Sequence, residues 1–227
     1  MSERNFEPMD GLPGLLRDLE DRKPAVRLRA IKGLRHLGAK AAAGAPYLVR
    51  TLYDTDAQIR QGAAKVLGQL GRPGLPGLIE AVANTDPCVR REAIHGLRKI
   101  GPAASSAVPV LARALHDLDL KVRIGAALAL GGLGPEARVA IPNLMAALKD
   151  RHRFYVRLVA WALGQVGGAA VPALTRALIE GDDEVRQDAA QILEKIRRQA
   201  QGAISTRIEC THFLNVSEEI TPLFACP

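Results

Sequence analysis

Apolar residues along the chain fall into one spacing that keeps returning. In the stretch 117–134, Val122, Ala126, Leu130 and Leu133 stand at positions 0, 4, 8 and 11 counted from Val122, which is one face of a helix with a period of about 3.6 residues. Gly134 follows directly, as Gly38, Gly71, Gly101 and Gly167 do at the corresponding places. A glycine there predicts a helix stop in the left-handed conformation. A proline then introduces a second apolar stripe. Two residues after it comes Leu15, Leu48, Leu78, Leu111, Leu144 or Leu174, and four further on Leu19, Leu52, Val82, Leu115, Leu148 or Leu178. This predicts a second helix, with proline tolerated in its first turn because the missing N–H would have no partner there. Asp21, Asp54, Asn84, Asp117, Asp150 and Glu180 close it, and these polar side chains are expected to satisfy free backbone donors in the turn to the next unit.

The two-helix pattern is a repeat. Val26, Ile59, Val89, Val122, Tyr155 and Val185 mark one position of it, with steps of 33, 30, 33, 33 and 30 residues, and Pro13, Pro46, Pro76, Pro109, Pro142 and Pro172 keep the same steps. Two independent markers sharing one irregular rhythm predict a solenoid, in which each unit packs only on its neighbours. One elongated domain is expected over residues 11–201, with a lead of residues 1–10 and a non-repeat tail of residues 202–227. The array opens on a half-unit, residues 12–20, that can act as a cap. Two units depart from the pattern: Tyr155-Val156-Arg157 sets the fifth unit's arginine one position late, and Arg197 replaces the sixth unit's glycine, which predicts a helix running on to about Gln201.

The pattern Asp-x-x-x-x-Val-Arg-x-x-Ala-x-x-x-Leu-Gly, followed by Pro-x-Leu-x-x-x-Leu, resembles HEAT repeats over residues 12–197, in particular the short subtype shared with phycobilisome bilin-lyase subunits. The resemblance implies an all-α, right-handed α–α superhelix of the HEAT or armadillo type, with about six helical hairpins whose second helices line the concave side. It leaves function open, because that repeat serves adaptors, scaffolds, chromophore lyases, a hydroxylase and some DNA-repair enzymes.

Composition narrows the classes. Hydrophobic residues make up 48% of the chain and aromatics only 4%, which suits thin layers of Ala, Leu and Val. Residues 1–10 hold acids and no apolar run, and no stretch approaches the roughly 18 consecutive apolar residues of a membrane span. The expectation is a cytoplasmic protein without a signal peptide or membrane span. Cys88, Cys210 and Cys226 are too few and scattered for a disulfide framework or a zinc site, so reduced thiols are expected. The net charge of +7 raises the question of an anionic partner.

Arg27, Arg60, Arg90, Arg123 and Arg186 follow the Val position, and Asp56, Asp86, Asp119 and Asp182 stand one turn before four of them. A structural Asp–Arg ladder stitching neighbouring repeats is the primary reading of this row, and a phosphate-binding row the alternative. A better binding candidate lies four residues after each proline, where Arg17, Arg50, Arg113 and Arg176 alternate with Glu80 and Ala146. With Tyr47, Tyr53, His116 and Lys149 they would form a basic concave groove with sparse aromatics, against the alternative of a merely solvated face. Enzyme readings fare worse. The chain has no His-Glu pair of the kind a di-iron hydroxylase of this repeat type needs, and its histidines occupy unrelated repeat positions. It also lacks a phosphate loop or nucleophile elbow. No catalytic residue, cofactor or metal is expected. The function read from the sequence is a noncatalytic scaffold or adaptor that binds a protein or peptide, acidic in the fuller version of this reading, through the concave surface. The alternatives are a subunit of a bilin lyase or similar modifying enzyme, and nucleic-acid binding through the basic groove.

One further expectation concerns the first helices. Their positions 2 and 6, polar as Gln61, Lys65, Arg91 and His95, become Ile124 and Leu128 in the fourth unit, and Leu158 and Trp161 follow in the fifth. These four predict an exposed convex apolar patch. The tail, with its apolar residues and one Arg against three Glu, is the expected cover for it.

Overall fold

The computed structural model describes residues 11–202. The tail beyond them, with its expected docking, lies outside the described residues. The chain is a succession of helices: α1 (Leu12–Asp18), α2 (Pro24–Leu37), α3 (Ala45–Thr51), α4 (Ala57–Leu70), α5 (Leu75–Ala81), α6 (Pro87–Ile100), α7 (Val108–Ala114), α8 (Leu120–Leu133), α9 (Ile141–Ala147), α10 (Arg153–Val166), α11 (Val171–Glu180) and α12 (Asp183–Gly202). Even-numbered helices are the first helices of the units and odd-numbered ones the second. Five complete hairpins, α2–α3 to α10–α11, are thus flanked by a lone second helix, α1, and a lone first helix, α12.

The irregular rhythm has a simple origin. The first helices α2, α4, α6, α8 and α10 all have 14 residues, so the spacing varies only between helices. Seven-residue 3-10 connectors at Gly38–Gly44, Gly101–Ala107 and Gly134–Ala140 belong to the units with 33-residue steps, whereas Arg72–Gly74 and Gly167–Ala170 are the short ones of the 30-residue steps. The turning glycines differ from the left-handed expectation. Their φ values run from +55° at Gly38 to +74° at Gly167, but ψ is strongly negative, −129° and −142° at these two. That region lies open to glycine alone, and it sends the chain straight into the connector. At the other end of the first helices, Asp56 accepts from the N–H of Gln58 at 2.7 Å, Asp86 from Cys88 at 2.8 Å, and Asp119 from Val122 and Asp182 from Val185 at 2.9 Å. Each is an N-cap.

The core runs the length of the array between the two helix layers. Leu34, Leu67, Leu97, Leu130 and Leu163 of the first helices are buried, and Leu48, Leu78, Leu111, Leu144 and Leu174 of the second helices face them from the other layer. Ala30, Ala63, Ala93, Ala126 and Ala189, all buried, keep the layers close. First helices also pack on one another along the array, α4 on α6 and α8 on α10. This overturns the convex patch. Ile124 and Leu158 are buried, with 3% and 4% of their surface exposed, and Leu128 and Trp161 are half-buried against the core. Side chains at these positions pack toward a neighbouring first helix, as Trp161 of α10 does on Gly131 of α8.

Two segments, Leu120–Ala147 and Arg153–Glu180, are long and apolar enough to cross a membrane by length and composition. Each is two helices broken at a positive-φ glycine, Gly134 or Gly167, and their apolar residues fill the shared core.

Candidate protein-binding surface

The arginines of the Val-Arg row are consumed internally, though not by the partners expected. Arg27 donates from Nε to Asp54 at 2.6 Å and from Nη2 to the other carboxylate oxygen at 2.8 Å, while its Nη1 donates to the carbonyls of Asp21 and Arg22. Arg90 binds Asp117 at 2.7 Å and Arg123 lies 3.3 Å from Asp150, each again holding two carbonyls of the turn before its own helix. Each such arginine therefore ties two successive inter-repeat turns together. Asp54, Asn84, Asp117 and Asp150 of the closing turns also accept the backbone N–H two residues ahead at 2.8–2.9 Å, so the three acids among them serve twice. Burial works to raise the Asp54 carboxyl, but the hydrogen bonds from Arg27 and from the N–H of Asp56 outweigh it and hold the group below the ordinary carboxylate range. Asp56, Asp86, Asp119 and Asp182 are occupied as N-caps and are not the ladder acids.

The ladder has three gaps. Arg60 holds the carbonyls of Asp54 and Thr55 at 2.7 and 2.9 Å, yet the closing turn of its unit offers the neutral Asn84. Arg186 is confined to Gly181 and Asp183 in its own turn. In the fifth unit the displaced Arg157 is exposed and has no ion pair among the described residues. Tyr155, at the Val position, is fully buried and donates its hydroxyl to the carbonyl of Leu115 at 2.7 Å, beneath the guanidinium of Arg123. Burial first, and then Asp150, push its phenol well above the usual range. Tyr155→Phe strands the Leu115 carbonyl and should cost about 1–3 kcal/mol in denaturant unfolding; a loss indistinguishable from zero would remove this contact from the account.

The second-helix residues are placed otherwise. Arg17, Tyr47, Arg50, Tyr53, Arg113, His116, Lys149 and Arg176 are all exposed. Arg50 lies 5.8 Å from the centroid of the Tyr47 ring and 3.7 Å from Glu20. Arg17, Arg113 and Arg176 make no ion pair among the described residues. Burial and the Glu80 carboxylate push the Tyr53 phenol up. Between the second and third units this face opens into a cleft of about 280 Å³, lined by Val82, Ala83, Asn84, Arg90, Val110, Arg113, Ala114 and Asp117. Sequence reasoning missed the cleft. Its signal was Ala83, a small residue at the place where Tyr53, His116 and Lys149 stand in other units.

A family model described as HEAT repeats matches residues 12–76, 75–163 and 122–194. The chain belongs to the HEAT-repeat family. No curated protein matches it, but solved structures do. An engineered protein is 24% identical, with 84% of this chain and 98% of that one covered at a TM-score of 0.56. The complex of CpcE and CpcF of phycocyanin lyase from Nostoc sp. PCC7120 is 23% identical, with 85% and 80% covered at a TM-score of 0.55. A designed armadillo repeat protein in complex with the peptide (KR)4 is 17% identical, with 82% and 100% covered and the same TM-score of 0.55. These likenesses are of fold. The HEAT array described here has the repeated helical hairpins that the family implies.

Proposed function

We propose that this HEAT-repeat protein is a noncatalytic scaffold or adaptor that binds an acidic protein or peptide through the exposed face of its second helices. The observation that carries the reading is the contrast between two sets of arginines. Arg27, Arg90 and Arg123 are spent on Asp54, Asp117 and Asp150, whereas Arg17, Arg113 and Arg176 recur in register on an exposed face with no ion pair among the described residues. Unpaired guanidinium groups add little to stability where they stand and supply planar donors suited to carboxylates. The designed armadillo protein that holds the basic peptide (KR)4 lends support to peptide binding on such a scaffold; with free positive charge on this face, the complementary partner is acidic.

A second reading, a subunit of a bilin lyase or similar modifying enzyme, rests on the likeness to the phycocyanin lyase complex. Affinity capture from lysate, run with and without nuclease, separates the readings. The scaffold reading requires a protein that stays bound after nuclease treatment. Bilin absorbance in the captured material would favour the lyase-type subunit, and loss of everything on nuclease treatment would move the assignment to nucleic-acid binding.

A further inference from the structure

We infer that the cleft between α5 and α7 seats one carboxylate side chain, Asp or Glu, of a peptide lying along the second-helix face. This rests on the proposed peptide-binding function and names the chemistry it selects. The cleft exists because the second unit carries Ala83 where the first carries Tyr53 and the third His116. Its volume of about 280 Å³ suits a side chain and not a folded segment. Val82, Val110 and Ala114 supply small apolar walls against which the methylenes of Asp or Glu can lie.

The charges in the cleft select an anion. Asp117 is already neutralised, accepting from Arg90 Nη2 at 2.7 Å and from the N–H of Asp119 at 2.9 Å. Arg90 in turn holds the carbonyls of Asn84 and Thr85, both at 2.8 Å. Arg113 remains, exposed and without an ion pair among the described residues, so the lining carries one uncompensated positive charge. Asn84 adds a donor. Its side-chain oxygen accepts the N–H of Asp86 at 2.8 Å, which leaves its amide NH2 without a partner among the described residues. A guanidinium and an amide NH2 on one small cleft match a single carboxylate in charge and in donor count. Asn84 thus has two consequences: it deprives Arg60 of a ladder acid, and it keeps a second carboxylate out of the cleft. Glu80, on α5 as well, does not line it.

The test is isothermal titration calorimetry of the full chain with a Glu-rich nonapeptide and its all-Gln counterpart. The wild type should prefer the Glu peptide by about tenfold or more, the discrimination expected for one desolvated charge pair. Ala83→Tyr fills the cleft with the side chain that Tyr53 already presents at the equivalent exposed position, so it should fold normally by circular dichroism and lose that preference. Arg113→Gln should lose it equally, and Arg35→Gln, at an exposed first-helix position outside that face, should keep it. An Ala83→Tyr variant that binds like the wild type overturns the cleft assignment; if Arg176→Gln then carries the loss, the second-helix face survives as the binding surface. A wild type indifferent to Glu over Gln also overturns the inference, while protein capture continues to test the broader reading by itself.

Discussion

Glu92→Gln is expected to be more stable than the wild type by about 2–3 kcal/mol at pH 8, with the difference vanishing near pH 4.5. Glu92 sits on α6 with only 4% of its surface exposed, where α6 packs against α4 and α8. Burial pushes its carboxyl up to about 7 from an ordinary 4.5, with Lys65 and Arg60 of α4 and Arg91 of its own helix opposing the rise. A carboxyl raised in the folded state binds its proton more tightly there than in the unfolded chain. The native state is therefore favoured by protonation, and stability falls as pH climbs from about 4.5 through 7. Gln keeps the shape of the neutral acid and cannot ionise. One turn on, His95 has the opposite sign. Burial, with Arg98, Lys65 and Lys99, lowers it from 6.5 to about 4, and its Nε2 is buried without a partner among the described residues. It contributes stability above pH 6.5 that is lost as the pH falls toward 4. The two slopes oppose each other in the wild type between these limits, so the variant, with one of them removed, should gain stability steadily as pH rises. Chemical denaturation at pH 4.5, 6 and 8 measures this, and a Gln variant no more stable than the wild type at pH 8 would show that the basic neighbours keep Glu92 ionised at no cost.

Gly131→Ala should lower stability by about 1–3 kcal/mol and change the emission of the chain's single tryptophan. A Cβ at Gly131 would fall on the Trp161 ring of the next first helix, with Cε3 and Cη2 both at 2.7 Å. Either the ring swings outward or α8 and α10 separate, and in both cases indole surface that is now half-buried gains water. Thermal melts and a red shift of Trp161 fluorescence read the two effects independently. An unchanged spectrum with unchanged melting would mean that the helices do not approach this closely.

Periodicity made most of the architecture legible, because a helix that buries one stripe must place its apolar residues at fixed intervals and a solenoid repeats them. Contacts between units were harder to read. Position 2 of a first helix looks solvent-facing on a single amphipathic helix, as the polar Gln61 and Arg91 suggest, yet Ile124 and Arg91 are both buried in an array whose first helices pack on one another. The pairing of Gly131 with Trp161 shows the complementarity, which no single unit reveals. The ladder misled for a related reason: Asp56 is nearest Arg60 in sequence, but a side chain four residues earlier on the same turn is already engaged by free N–H groups, whereas the acid that meets a guanidinium stands one turn ahead in the array, as Asp54 does for Arg27. The face residues were legible as exposed positions. Their cleft was not, since it arises from what Ala83 lacks.

The central claim, that the second-helix face is the working surface, is tested most directly by two charge-matched variants of the full chain against the partner obtained by capture. One carries Arg50→Glu, Arg113→Glu and Arg176→Glu; the other carries Lys32→Glu, Arg35→Glu and Arg157→Glu at exposed first-helix positions. Both change the net charge equally, and neither should alter helicity, since exposed charges contribute about 0–1 kcal/mol each. The account predicts that the first variant loses binding by at least about a hundredfold while the second stays within a few-fold of wild type. Equal losses in both variants, or wild-type affinity in the first, would contradict it.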